Sequence, residues 1–284
     1  MMRRSLYFLW NRFEITRPHN LLVAALTILV GWTLAGAGPP GLEVVLAALA
    51  GTLVAAAGNV VNDYFDSEID RINKPRRPIP SGRMTRRESF RFACLLALGA
   101  LVVAVFSGRP AFACVAVWCV CLYVYSAHLK TRLLLGNLMV SAVSSSGFVL
   151  GAWLAGRPTA ALAPTLLTFL FVMGREIVKD VEDLPGDHAC GARTLPDRLG
   201  ERRALAVALG FFILFAVLVP WPYHLQIFGP PYLWIYLLGV VPLLVVAVLL
   251  MLRDASPANL WRVSWILKFD MLLGVLGFWL GRAR

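Results

Sequence analysis

The chain has 284 residues, is 59% hydrophobic and only 15% charged, and has a mean hydropathy of +0.71. A soluble globular domain carries about 25% charged residues, so the composition excludes one and points to an all-α, polytopic membrane protein. The formal charge of +11 argues for no nucleic-acid partner, because the base is confined to short segments between apolar runs, as the positive-inside rule requires.

Residues 5–17, SLYFLWNRFEITR, mix aromatic side chains with Arg12, Glu14 and Arg17 and are too short to span a bilayer. With the residues up to 20 they are predicted to form an amphipathic helix in the membrane interface. No small-residue cleavage site follows, so a cleavable signal is not expected. Nine apolar segments come next, at about 21–37, 42–61, 92–107, 111–127, 133–155, 160–178, 204–220, 232–252 and 261–281. Each approaches the roughly 20 residues a bilayer requires. This predicts nine transmembrane helices in a single bundle, one domain over residues 1–284, with a central cavity opening to the cytoplasmic side.

The polar stretch 62–82, NDYFDSEIDRINKPRRPIPSG, leaves the second segment. Asn62, Asp66 and Asp70 are spaced i, i+4, i+8 and stack along one helix face, about 5–6 Å apart. Like charges at that spacing repel, so a cation belongs between them. Oxygen-only ligation by few protein groups suits Mg²⁺, which keeps waters and completes its shell from a substrate phosphate. The bases that follow, Arg71, Lys74, Arg76 and Arg77, are placed to hold the other phosphate oxygens.

After the fourth segment, YSAHLKTRLLLGN carries Lys130, Arg132 and Asn137. An Asn inside a span needs a partner. Arg132 reads equally well as a topology-setting base. In the fifth segment, Ser144, Ser145, Ser146 and Gly147 read as small residues for close helix packing, with a polar acceptor pocket as the alternative. The second polar stretch, REIVKDVEDLPGDHACGARTLP at 175–196, repeats the acidic theme. It carries Lys179, and Asp183 and Asp187 again differ by four. Pro185 and Gly186 between them predict a broken helix and convergence through a turn. Residues 62–91 and 175–203 are thus the expected cytoplasmic catalytic segments. Cys94, Cys114, Cys119 and Cys121 lie in apolar runs without metal or disulfide spacing, and one His188–Cys190 pair among hard carboxylates is weak grounds for zinc.

The connections after the first, third, fifth and seventh segments carry almost no base, while the N-terminus and the even connections carry nearly all of it. The rule predicts a cell-membrane protein with a cytoplasmic N-terminus and an external C-terminus, against which only Arg282 and Arg284 speak. Four spans separate the two acidic stretches, so both emerge on the same side.

The runs N-D-x-x-D-x-x-x-D at 62–70, R-P-x-P-S-G at 77–82, R-E-x-x-K-D-x-x-D-x-x-G-D at 175–187 and T-L-P at 194–196 resemble the UbiA-type intramembrane prenyltransferase superfamily, over nearly the whole chain. The run R-P-H-N at 17–20, with Asn20, and the REIVKD form of the second motif resemble the branch that makes digeranylgeranylglyceryl phosphate. The resemblance implies that Lys130 and Asn137 face a diphosphate. It implies transfer of a prenyl group from a polyprenyl diphosphate, geranylgeranyl diphosphate by preference, to a lipid hydroxyl such as that of geranylgeranylglyceryl phosphate. Two Mg²⁺ ions held by Asp66, Asp70, Asp183 and Asp187, with Asn62, would stabilise the leaving group, assisted by Arg77, Lys130 and Lys179. An aromatic, porphyrin or chlorin acceptor is the alternative within the same chemistry. A cation transporter is the alternative outside it, disfavoured because transporters rarely place two carboxylate ladders and phosphate-type base at one membrane face.

Overall fold

In the computed structural model, which describes residues 2–282, the chain is helical and has no strand among the described residues. Arg284 lies outside that range. Helix α1 (Met2–Ile15) is followed by α2 (Pro18–Leu34), α3 (Leu42–Phe65), the short α4 (Ser67–Asn73), α5 (Arg86–Ser107), α6 (Arg109–Leu129), α7 (Leu135–Leu154) and α8 (Pro158–Glu182). The short α9 (Leu184–Ala189) and α10 (Leu195–Leu199) precede α11 (Glu201–His224), α12 (Pro230–Arg253) and α13 (Pro257–Leu280).

Eight of these, α3, α5, α6, α7, α8, α11, α12 and α13, are long and apolar enough to cross a membrane. The ninth predicted span corresponds to α2, which is apolar but has 17 residues, about 26 Å at 1.5 Å per residue against a hydrocarbon core of about 30 Å. The count of nine therefore turns on α2. Large apolar side chains such as Leu98, Phe106, Val120, Val217, Leu238 and Leu249 point outward from the long helices. Helices with that exterior suit lipid, because every mid-helix backbone N–H and C=O is satisfied within the segment.

Small residues bring the helices together. A Cβ on Gly151 would lie 1.9 Å from the Ile28 carbonyl oxygen, and one on Gly31 would lie 2.1 Å from that of Phe148, so α2 and α7 are in backbone contact. Gly147 is equally closed off by Thr27. The serines beside it divide: Ser146 accepts a hydrogen bond from Trp118 Nε1 at 2.8 Å, Ser145 bonds its own helix, and Ser144 lines the central cavity. Helix α3 packs on α5, and α8 packs on α11 and α13.

The polar end of the bundle is tied down locally. Thr85 and Glu88 form a reciprocal capping box that starts α5. Arg83 grips Glu14 through two hydrogen bonds of 2.6 and 2.8 Å, fastening the α4–α5 connection to α1. On α1, Leu9, Trp10 and Phe13 face outward while Ile15 is buried with Val60 and Met84, the two-sidedness an amphipathic helix requires.

Candidate active site

Both acidic stretches are built in the same way. A long helix ends one residue before an aspartate, and a short helix begins one residue after it: α3 and α4 flank Asp66, α8 and α9 flank Asp183. The predicted single helix through Asn62, Asp66 and Asp70 is thus interrupted at Asp66. The i to i−4 bonds nevertheless continue, from Asp66 N–H to the Asn62 carbonyl at 2.9 Å and from Asp70 N–H to that of Asp66 at 2.8 Å. The face shared by the three side chains survives. In the second stretch Pro185 occupies the first turn of α9, where its missing N–H costs nothing.

The two short helices then pack against each other. Asn73, the last residue of α4, makes that contact specific: its Nδ2 donates to the Asp183 carbonyl at 2.6 Å and its Oδ1 accepts from the Gly186 N–H at 2.9 Å. Only glycine fits opposite, because a Cβ on Gly186 would lie 2.5 Å from Asn73 Nδ2.

This places Asp66, Asp70, Asp183 and Asp187 together at one end of the bundle, all at most 7% exposed. Three of them meet cations. Lys130 pairs with Asp66, Lys74 with Asp183, and Arg77 Nη1 donates to Asp70 Oδ2 at 2.6 Å and to Asp63 Oδ1 at 3.2 Å. Asn62 Nδ2 donates to Asp66 Oδ2 at 2.7 Å. Burial pushes the Asp183 carboxyl up, but Lys74, Lys130 and Lys179 outweigh it and hold it at about 2. Burial disfavours the Lys130 ammonium too, yet Asp66 beside it raises its pKa above the usual lysine range. Asp187 differs. No described residue hydrogen-bonds or ion-pairs with its carboxylate, and burial pushes it up to about 6, against the pull of Lys130.

Beside the aspartates lies a cavity of about 1040 Å³, which Asp63 and Asp183 line directly. Asn20, Asn62, Arg77, Lys179 and Asp183 stand in its wall, and the deeper wall is apolar, with Ile28, Val54, Leu122, Val143 and Val172. Asp66, Asp70, Asp187 and Lys130 are not part of the wall and lie in the charged layer beside it. Two predicted residues stand apart: Arg132 is exposed, and Asn137 is buried with its Nδ2 donating to Asp180 Oδ2 at 2.8 Å.

Three residues of the layer were not singled out by sequence reasoning. Asp63 receives both Arg17 and Arg77 and is 3% exposed. Its positions i, i+3 and i+7 relative to Asp66 and Asp70 put it on their helix face, a signal present in the sequence. Asn73 carried no such signal. Arg17, the first residue of the R-P-H-N run, adopts a left-handed backbone (φ 55°) between α1 and α2 and reaches Asp63. A non-glycine residue holds that conformation only where its surroundings enforce it.

The UbiA prenyltransferase family profile matches residues 24–278. The chain belongs to this family. Digeranylgeranylglyceryl phosphate synthase of Methanopyrus kandleri is 42% identical over 270 residues, 93% of this chain and 96% of the relative. A solved structure of digeranylgeranylglyceryl phosphate synthase in membranes superposes with a TM-score of 0.73 at 32% identity, covering 96% of this chain and 98% of that one. A UbiA homologue from Archaeoglobus fulgidus bound to GPP and Mg²⁺, 18% identical, shares the fold with a TM-score of 0.67 over 94% of this chain and 99% of that chain.

The UbiA-family site suits a divalent cation by its donors. All are hard carboxylate or amide oxygens, and the buried, partnerless Asp187 is stable as an anion only beside a positive charge that the protein itself does not put in contact with it. No cluster of three potential ligands is already drawn together among the described residues. Lys74, Arg77 and Lys130 hold the carboxylates instead.

Proposed function

We propose that this UbiA-family enzyme transfers the geranylgeranyl group of geranylgeranyl diphosphate to the hydroxyl of geranylgeranylglyceryl phosphate, giving digeranylgeranylglyceryl phosphate in an Mg²⁺-dependent reaction. The observation that carries this reading is the junction of α4 and α9, where two buried aspartate pairs and three half-buried bases gather beside a large cavity whose wall is apolar in part. The names of the relatives support the acceptor, and the GPP and Mg²⁺ of the A. fulgidus homologue support the donor class and the metal.

Asp66, Asp70, Asp183 and Asp187, with Asn62, would hold the metal, which would supply Lewis-acid stabilisation of the departing diphosphate. Arg77, Lys130 and Lys179 are placed to donate charge-assisted hydrogen bonds to the diphosphate oxygens. The bond between the prenyl C1 and the diphosphate oxygen breaks, the diphosphate leaves with the electron pair, and the acceptor oxygen bonds C1 as its hydroxyl proton is released. The apolar wall from Ile28 to Val172 keeps water from the allylic cation, the competing nucleophile. Incubating purified protein with labelled geranylgeranyl diphosphate and either geranylgeranylglyceryl phosphate or 4-hydroxybenzoate, with Mg²⁺ or EDTA, tests the reading. The ether forms only in the first tube and only with Mg²⁺. A prenylated benzoate as the main product would move the enzyme to aromatic acceptors, and full turnover in EDTA would remove the metal.

Residues 1–284 act as one prenyltransferase domain with nine spans, an N-terminus in the cytoplasm and a C-terminus outside. In a cysteine-free background, cysteines at the exposed positions Ser81 and Glu201 should react with an impermeant maleimide from the cytoplasmic side alone. Labelling from opposite sides would refute this topology.

Geometry distinguishes leaving-group contacts from orienting charges. Arg77→Lys replaces a planar fork that bridges Asp63 and Asp70 by a point charge. It should lower kcat/KM for the prenyl diphosphate at least tenfold, about 1.4 kcal/mol, as should Lys130→Ala. Arg86→Ala loses an exposed cation over the Tyr64 ring and should stay within about twofold. Equal effects at all three would mean that the base serves topology alone.

A further inference from the structure

The cavity holds a second group of basic side chains that the aspartates do not use. Lys268 on α13, His19 at the start of α2 and Arg175 on α8 all stand in its wall. Arg175 has Glu176 beside it at 2.5 Å, and Arg17 has Asp63. Lys268 has neither an ion pair nor a hydrogen bond among the described residues. Its close neighbour is the Trp265 indole, with Nζ 4.2 Å from the ring centroid, and the His19 ring sits 5.4 Å from the same indole. Arg17 and Arg175 stand in the same wall as Lys268 and His19. The nearby Glu182 is engaged by the Ser264 hydroxyl at 2.6 Å. Basic groups gathered in one partly desolvated wall are charged together only where an anion completes them.

Resting on the reaction proposed above, we infer that Lys268, His19 and Arg175 form a subsite for the phosphomonoester headgroup of the lipid acceptor, separate from the diphosphate site. Two anionic substrates need two cationic sites, and only one is made by Lys74, Arg77, Lys130 and Lys179. The subsite also lies where a lipid is able to reach it. Trp261 and Trp265 line the cavity and are 55% and 45% exposed, and tryptophans of that kind suit a membrane interface, where an acceptor's chains remain in the bilayer while its headgroup turns inward. A neutral glycerol ether leaves the cations uncompensated, which gives the enzyme a means of rejecting an unphosphorylated acceptor.

The test measures binding without turnover. Geranylgeranylglyceryl phosphate and the corresponding alcohol are titrated by calorimetry into detergent-purified protein without prenyl diphosphate. Wild type should bind the phosphate form at least about tenfold more tightly, the worth of one charge-assisted bond. Lys268→Gln and His19→Ala should each lose most of that preference, Lys268→Arg should keep it, and none should change geranylgeranyl diphosphate affinity beyond about twofold. Should Lys268→Gln prove unstable on melting, His19→Ala and Lys268→Arg carry the same comparison. Wild-type preference retained in Lys268→Gln and His19→Ala, no preference in wild type, or equal weakening of both substrates overturns the subsite. Turnover assayed on the same protein keeps the two readings apart: a phosphate preference that depends on Lys268 without any ether product sinks the reaction and leaves the anion site standing.

Discussion

Asp66→Ala, Asp70→Ala, Asp183→Ala and Asp187→Ala should each lower turnover by about 10³-fold or more. The magnitude follows from what they are proposed to hold: charge stabilisation of a departing diphosphate is worth several kcal/mol, and about 4 kcal/mol corresponds to three decades. Stability should divide the four where activity does not. Removing Asp66, Asp70 or Asp183 leaves the half-buried Lys130, Arg77 or Lys74 without that partner, a destabilising change. Removing Asp187 orphans no cation, and it relieves a carboxylate that has no direct partner. Asp187→Ala should therefore melt no lower than wild type in the absence of metal while being as inactive as the others. Rates with labelled geranylgeranyl diphosphate, together with melting curves in EDTA, decide the matter. Near wild-type turnover in any two variants would dismantle the two-pair site.

The clamp between α4 and α9 should matter nearly as much, although Asn73 is assigned no contact with the reacting atoms. Asn73→Ala frees the Gly186 N–H, about 1–3 kcal/mol to leave unsatisfied when buried, and removes one of the two hydrogen bonds to the Asp183 carbonyl, which keeps the Asp187 N–H at 3.1 Å. Losing them lets α9 drift, and a displacement of about 1 Å at a positioned group is enough to cost about 10²-fold in rate. Gly186→Ala should do similar damage from the other side, since its new methyl would overlap the Asn73 amide. The double variant Asn73→Ala/Gly186→Ala is the sharper test. With the amide gone the methyl has room, so the second substitution should add little to the first. Full additivity in kcat would show that the two residues act independently and that no clamp exists.

Much of this site is legible in the linear chain. The spacing of Asn62, Asp66 and Asp70 and of Asp183 and Asp187 requires only helical periodicity, and Pro185 with Gly186 marks the break that forms α9. Asp63 lies on the same face and is equally legible, although attention to a strict four-residue step hides the residue at three. The surroundings of Arg132 and Asn137 are not written in one dimension: Arg132 is exposed and Asn137 bonds Asp180, 43 positions away.

The sequence by itself determined the membrane class, the helical architecture, the repeated acidic motifs and, through them, the prenyltransferase family. These properties are local: hydrophobic runs set by bilayer thickness and ligands set by the 3.6-residue period, each written within a few dozen residues. Tertiary structure alone decided which residues meet across the bundle. Asn73 finds residues 183 and 186 more than a hundred positions away, Arg17 finds Asp63, and Lys268 joins His19 at the Trp265 indole. Such pairings arise from how helices pack through small residues like Gly31 and Gly151, and the energy of that packing belongs to contacts between segments that no single segment encodes.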